Sequence, residues 1–181
     1  MHSERRLPRA RRLCWLLLAG LAAAAAAAAR ADPVPEAAMK AAFIFNFTVF
    51  AEWPPEALAG GAPISVCANA GGALFASLSK LHDKVVNGHR IAVRHAGAPL
   101  RSCHVLVVER IDRERWRELR RELAGSPVLT VSDDRVVGPD GVVIAMALMD
   151  ERIVFDVDMA LARAARLNLS SKLLRLARSV Q

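Results

Sequence analysis

From residue 37 onward the apolar residues of the chain follow two alternating periods, and the switches between them lay out a domain. Over 37–51, Met39, Phe43, Phe47 and Phe50 fall at helical spacing, with only Lys40, Asn46 and Thr48 polar among them. A helix apolar nearly all round must be covered on more than one side. Pro54 forces Trp53 out of the helical region and ends the helix. ISVCAN (64–69) then reads as a short strand. GGALFASLSKLH (71–82) reads as a helix entered through glycines and packed through Leu74, Leu78 and Leu81. IAVRH (91–95) and CHVLVVE (103–109) are the next strands, the second an unbroken apolar run of the kind buried on both faces. RERWRELRRELA (113–124) has a narrow seam of Trp116, Leu119 and Leu123, which places it as a helix on the sheet surface.

The C-terminal third is more locally determined. PVLTVS (127–132) and VVIAMALM (142–149) predict strands. In ERIVFDVD, Ile153, Phe155 and Val157 face one way while Arg152, Asp156 and Asp158 face the other. This strand pairs antiparallel with the preceding one through Asp150 and Glu151. Asp158 then caps a helix over 159–166, and Ser170 caps a final helix in which Leu169 and Leu174 have staple spacing. The pattern predicts a single α/β domain: a mixed central sheet flanked by helices, with a C-terminal β-hairpin and two C-terminal helices.

What precedes the domain changes the picture of charge and compartment. Residues 1–31 begin with Arg5, Arg6, Arg9, Arg11 and Arg12, continue into LCWLLLAGLAAAAAAAA and close on Ala29-Arg30-Ala31. They read as a signal peptide cleaved before Asp32, which leaves a domain over 32–181 and predicts export to the periplasm. The leader holds six of the 25 basic residues and one of the 18 acidic ones, so the rest of the chain has a net charge of +2. The high sequence pI therefore gives no support for a nucleic-acid partner. A domain of about 150 residues buries roughly 70% of its unfolded surface, enough for one core.

Two cysteines lie beyond the leader, Cys67 and Cys103. In an oxidising compartment such a pair is most simply a disulfide, the alternative being two buried thiols. No C-x-x-C accompanies them. His82, His89, His95 and His104 show no H-x-H, H-x-x-x-H or Cys-His spacing, so no metal site is expected. GGALF lacks the further glycines of a dinucleotide loop, and no G-x-S-x-G or H-E-x-x-H occurs. Neither an enzyme nor a cofactor is expected. Phe43, Phe47 and Phe50 read as core. Phe45, Val49 and Trp53 are left over as a candidate partner or dimer surface, and Lys172, Arg175 and Arg178 beside Leu173, Leu174 and Leu176 as a second one.

KAAFIFNFTVFAEWP (40–54), ISVCA, CHVLVVE, VLTVSD (128–133) and IVFDVDMALARAARLNLSSKLLRLA (153–177) together resemble the YfiR-like family of exported bacterial proteins. Asp158 stands where that family usually has asparagine, and both residues cap helices. The resemblance implies a non-catalytic periplasmic regulator that represses an inner-membrane diguanylate cyclase, lowering cyclic-di-GMP output; a homodimer through the leftover aromatic surface is a further expectation. The resemblance also implies that Cys67 and Cys103 form a disulfide. A second cysteine pair of some members is missing, since Ala145 and its neighbours carry no thiol. The competing expectation is a periplasmic small-ligand-binding or sensor module associated with an uptake system or receptor.

Overall fold

The computed structural model describes residues 34–97, 99–134, 137 and 141–181. The expected leader lies outside them. The chain enters the domain through helix α1 (Glu36–Phe50), whose most buried residues are Ala41, Ile44, Phe47 and Thr48. The buried face is thus centred on Ile44 and Phe47, with Met39, Phe43 and Phe50 half-buried on one flank and Phe45 and Val49 on the other. Only Ala42 and Asn46 are exposed in the middle of the helix, which is the near-complete cover its apolar circumference demands.

Strand β1 (Ala51–Glu52) follows directly, then β2 (Ile64–Ala68), helix α2 (Ala73–Ser79), and a hairpin of β3 (Val85–Val86) and β4 (His89–His95). The hairpin turn is Asn87-Gly88, with φ of 49° and 84°, the left-handed pair that a tight hairpin turn needs. Next come β5 (Val105–Val108), helix α3 (Trp116–Leu123), β6 (Leu129–Ser132), β7 (Ile144–Met149) and β8 (Arg152–Val157). The chain ends with helix α4 (Met159–Ala164), β9 (Asn168–Leu169), the single turn α5 (Ser171–Leu174) and β10 (Ser179–Val180).

Among the described residues, eight strands form one mixed sheet in the order β10-β8-β7-β6-β5-β2-β4-β3, and β1 pairs with β9 in a separate antiparallel ribbon. Strands β4, β2, β5, β6 and β7 run parallel, and the three central ones, β2, β5 and β6, are buried along their whole length, as a parallel sheet covered on both faces demands. β8 returns antiparallel to β7 through Asp150 and Glu151, whose φ values are 47° and 61°. The expected hairpin is therefore present. Asp158 accepts Leu161 N–H at 2.9 Å and Ser170 Oγ accepts Lys172 N–H at 3.2 Å, so both predicted caps form. The final helix, expected to run through the leucines, stops after one turn. Arg178 N–H and Gln181 N–H instead donate to Phe155 O (2.8 Å) and Val157 O (2.9 Å) of β8.

Two apolar layers hold the helices. On one face α1 packs on Ile144, Met146, Ile153, Phe155 and Val157, with Phe43, Phe47 and Phe155 meeting edge to face at centroid distances of 5.1–6.2 Å. On the other, Trp116, Leu119 and Leu123 of α3 cover Cys67, Leu106, Val108 and Val128. The seam predicted for α3 is the one that is buried.

Candidate functional site

Cys67 in β2 and Cys103 just before β5 are bonded, with Cα atoms 5.9 Å apart. Both are 2–3% exposed, beneath α3. The bond ties the neighbouring parallel strands β2 and β5 within the second core. His104, the next residue, turns toward the opposite side. Its Nδ1 accepts Ser65 N–H at 2.9 Å, so the proton resides on Nε2, which donates to Ala57 O at 3.0 Å. Desolvation by burial lowers the His104 pKa below its ordinary value, opposed by the Ala57 carbonyl and reinforced by Arg94 and His89.

Trp53 closes over this point. Its indole N–H donates to His104 O at 3.1 Å and its ring meets the imidazole edge to face at 6.0 Å. At 9% exposure Trp53 faces the interior, contrary to its expected place beside Phe45 and Val49 on an outward surface. Pro54 breaks the helix as predicted, but the extended chain that results swings the indole inward, where its one polar atom finds a carbonyl. Phe45 and Val49 stay half-buried: Lys84 Nζ sits 5.8 Å from the Phe45 ring centroid, and Val49 O accepts Asn87 Nδ2–H at 3.1 Å. The β3–β4 hairpin thus covers much of that patch.

The histidines are structural ties. His82 Nδ1 accepts Val93 N–H (3.2 Å), His95 Nδ1 accepts Ala70 N–H (3.2 Å), and His89 Nδ1 bonds Ala62 O (2.7 Å). Among the described residues, no three His, Cys, Asp or Glu side chains are placed to hold a metal ion. Four carboxylates and Lys40 gather at the carboxyl ends of the parallel strands. Lys40 is paired with Asp133 (2.5 Å) and with Glu36, and Asp112 accepts from Asn69 Nδ2 (2.8 Å) and Glu109 N–H (2.9 Å). Burial raises the Glu109 pKa, against its hydrogen bond with Asn69, and the charges of Asp133 and Asp112 push it the same way. Every group there has a partner within the domain.

The C-terminal surface divides. Lys172 and Arg175 are exposed. Arg178 is bound to Asp156 through both Nε (2.9 Å) and Nη2, with Ser179 Oγ donating to the same carboxylate at 2.9 Å. That clamp fastens β10 to β8, and Arg178 is the first cause of the lowered Asp156 pKa. Beyond α3 the sheet face over β7 and β8 is open. A cavity of about 450 Å³ lies along it, with Ala145, Ala147 and Met149 on its floor and Asp156, Asp158 and Arg178 at its margin. Sequence reasoning missed this site. The alternation of β8, with Asp156 and Asp158 outward, was the available signal that, among the described residues, no helix covers that face.

No curated protein sequence matches the chain. Among solved structures, a conserved domain protein from Vibrio cholerae O1 biovar El Tor str. N16961 superposes with a TM-score of 0.50 at 10% identity, over 83% of this chain and 62% of that one. The ABC domain in complex with L-Trp from Streptococcus pneumonia gives a TM-score of 0.46 at 8% identity, over 70% of this chain and 59% of that one. The chain therefore spans about three fifths of the length of these solved chains, and the first likeness shows an α/β fold. The YfiR/HmsC-like family model (DUF4154) matches residues 37–178, from α1 through the Arg178 clamp. The chain belongs to the YfiR/HmsC-like family.

Proposed function

We propose that the protein is a non-catalytic periplasmic regulator that binds an inner-membrane diguanylate cyclase and holds down cyclic-di-GMP synthesis. The observation that carries this reading is the family match across the whole folded domain, residues 37–178. The buried Cys67–Cys103 bond is in keeping with an oxidising compartment. The test uses protein recovered from the periplasmic fraction of its host as bait against detergent-solubilised inner membranes, with captured proteins identified by mass spectrometry. Recovery of a protein bearing a diguanylate cyclase domain, together with a rise in cyclic-di-GMP when the gene is deleted, is the expected result. Unchanged cyclic-di-GMP and capture of only soluble or outer-membrane proteins would overturn it.

One observation favours a second reading, a small-ligand-binding or sensor module. The open cavity of about 450 Å³ falls in the size range of ligand pockets, and it joins an apolar floor to a few polar groups. A metabolite retained through purification and released on unfolding, seen by native mass spectrometry, is the result this reading requires.

A further inference from the structure

Charge along the chain is segregated. Residues 159–181 carry Arg163, Arg166, Lys172, Arg175 and Arg178 with no Asp or Glu, while residues 32–158 hold 17 acidic and 14 basic side chains. Two of the five C-terminal cations are used inside the domain, Arg166 on Glu56 at 2.6 Å and Arg178 on Asp156. Arg163, Lys172 and Arg175 are exposed, and among the described residues no carboxylate pairs with them.

Lys172, Arg175 and Leu176 stand at i, i+3 and i+4, so they share one face of a single turn. Past α5 the chain is carried on as a tight turn by Leu176 N–H to Leu173 O (3.0 Å) and Ala177 N–H to Leu174 O (3.3 Å). Its inner face is Leu173, 2% exposed, with Leu174 half-buried beside it. Its outer face presents Leu176, 69% exposed, beside two cations. An outward leucine flanked by unpaired cations suits a surface that is anionic at its rim and apolar just beneath.

We propose that residues 172–176 form a landing surface for anionic phospholipid headgroups on the membrane that holds the regulated protein. The inference rests on the regulator reading for the membrane's presence. Each cation close to an anionic bilayer strengthens binding about fivefold, and the attraction fades beyond roughly 8 Å at physiological salt. The two cations Lys172 and Arg175 therefore give an attachment that is weak, reversible and sensitive to salt. Among the described residues no helix is long and apolar enough to cross a membrane.

The test is co-sedimentation of the periplasmic protein with vesicles of phosphatidylcholine alone or with one third phosphatidylglycerol, at low and at half-molar salt. Binding that needs phosphatidylglycerol and is lost at high salt is expected. Lys172→Gln/Arg175→Gln lowers it about 25-fold at a fivefold factor per cation. Both side chains are exposed, so an unchanged thermal melt verifies folding. Equal binding to neutral vesicles, no binding to anionic ones, or an unaffected double variant overturns the inference. A double variant that loses cyclase capture in detergent yet keeps vesicle binding also overturns it, in favour of an acidic protein face. The vesicle readout needs no cyclase, so its failure leaves the regulator reading standing.

Discussion

Opening the Cys67–Cys103 bond is the perturbation whose size follows most directly from the structure. The two residues are 36 apart in sequence. In the chain-entropy model, removing a cross-link that closes a loop of this length frees about 4 kcal/mol of unfolded-state entropy. For a domain of this size each kcal/mol moves Tm by roughly 2–4 °C, so the reduced protein should melt about 8–16 °C below the oxidised one. Both sulfur atoms are almost fully covered by α3, so reductant reaches them only when the second core opens. The reduced state is therefore best made by unfolding and refolding in reductant. Thermal circular dichroism then compares three samples: oxidised, reduced, and Cys67→Ala/Cys103→Ala. The reduced protein and the double variant should melt close together, the variant slightly lower because two small voids replace the sulfurs. An oxidised protein that melts within about 2 °C of the reduced one would refute the loop-entropy argument.

Three further outcomes are expected. His104→Ala leaves Ser65 N–H and Ala57 O without their side-chain partner and should cost about 1–3 kcal/mol in urea unfolding at neutral pH. Because burial lowers the His104 pKa, the unfolded chain binds the extra proton first. The stability contributed by neutral His104 is thus full above about pH 6.5 and declines as pH falls toward the folded pKa. The wild-type advantage over the alanine variant should shrink across that window, and a constant gap would contradict the assignment. Asp158→Ala removes the acceptor for Leu161 N–H and should destabilise by about 1 kcal/mol, with Asp158→Asn nearly neutral. Glu151→Gly relieves a left-handed non-glycine residue in the β7–β8 turn and should raise the urea midpoint by up to about 1 kcal/mol in stability.

Local interactions made parts of this fold legible. The β7–β8 hairpin, the Asp158 and Ser170 caps and the α3 seam each depend on residues within a few positions of one another, and all appear as the pattern predicts. Asn87-Gly88 between apolar residues was an equally local hairpin signal that went unread, and β3 was missed with it. Strands β1, β9 and β10 are two residues each and have no period to detect. They exist because backbone far away in sequence needs partners, which is also why α5 gives way to the β8 edge. At the candidate surface, Lys172 and Arg175 are exposed. Arg178 was not separable from them by sequence, since its partner Asp156 lies 22 residues away. Trp53 shows the converse limit: once a proline ends helical geometry, nothing local says which way the indole turns.

The ribbon of β1 and β9 sets the timetable of folding. It joins Glu52 to Asn168, residues 116 apart, by backbone pairing and by a 2.8 Å bond from Asn168 Nδ2 to Glu52 Oε2. Contacts of such separation form late and slow the approach to the native state. α1, nearly the first element of the domain, also packs against β8 and α5, which are among the last. Until those segments are delivered, the longest helix of the domain, apolar nearly all round, lacks much of its cover, and an intermediate truncated before residue 168 offers that surface to other chains. A holdase that masks α1 during delivery should therefore raise the yield of folded protein more than an oxidant that hastens the disulfide.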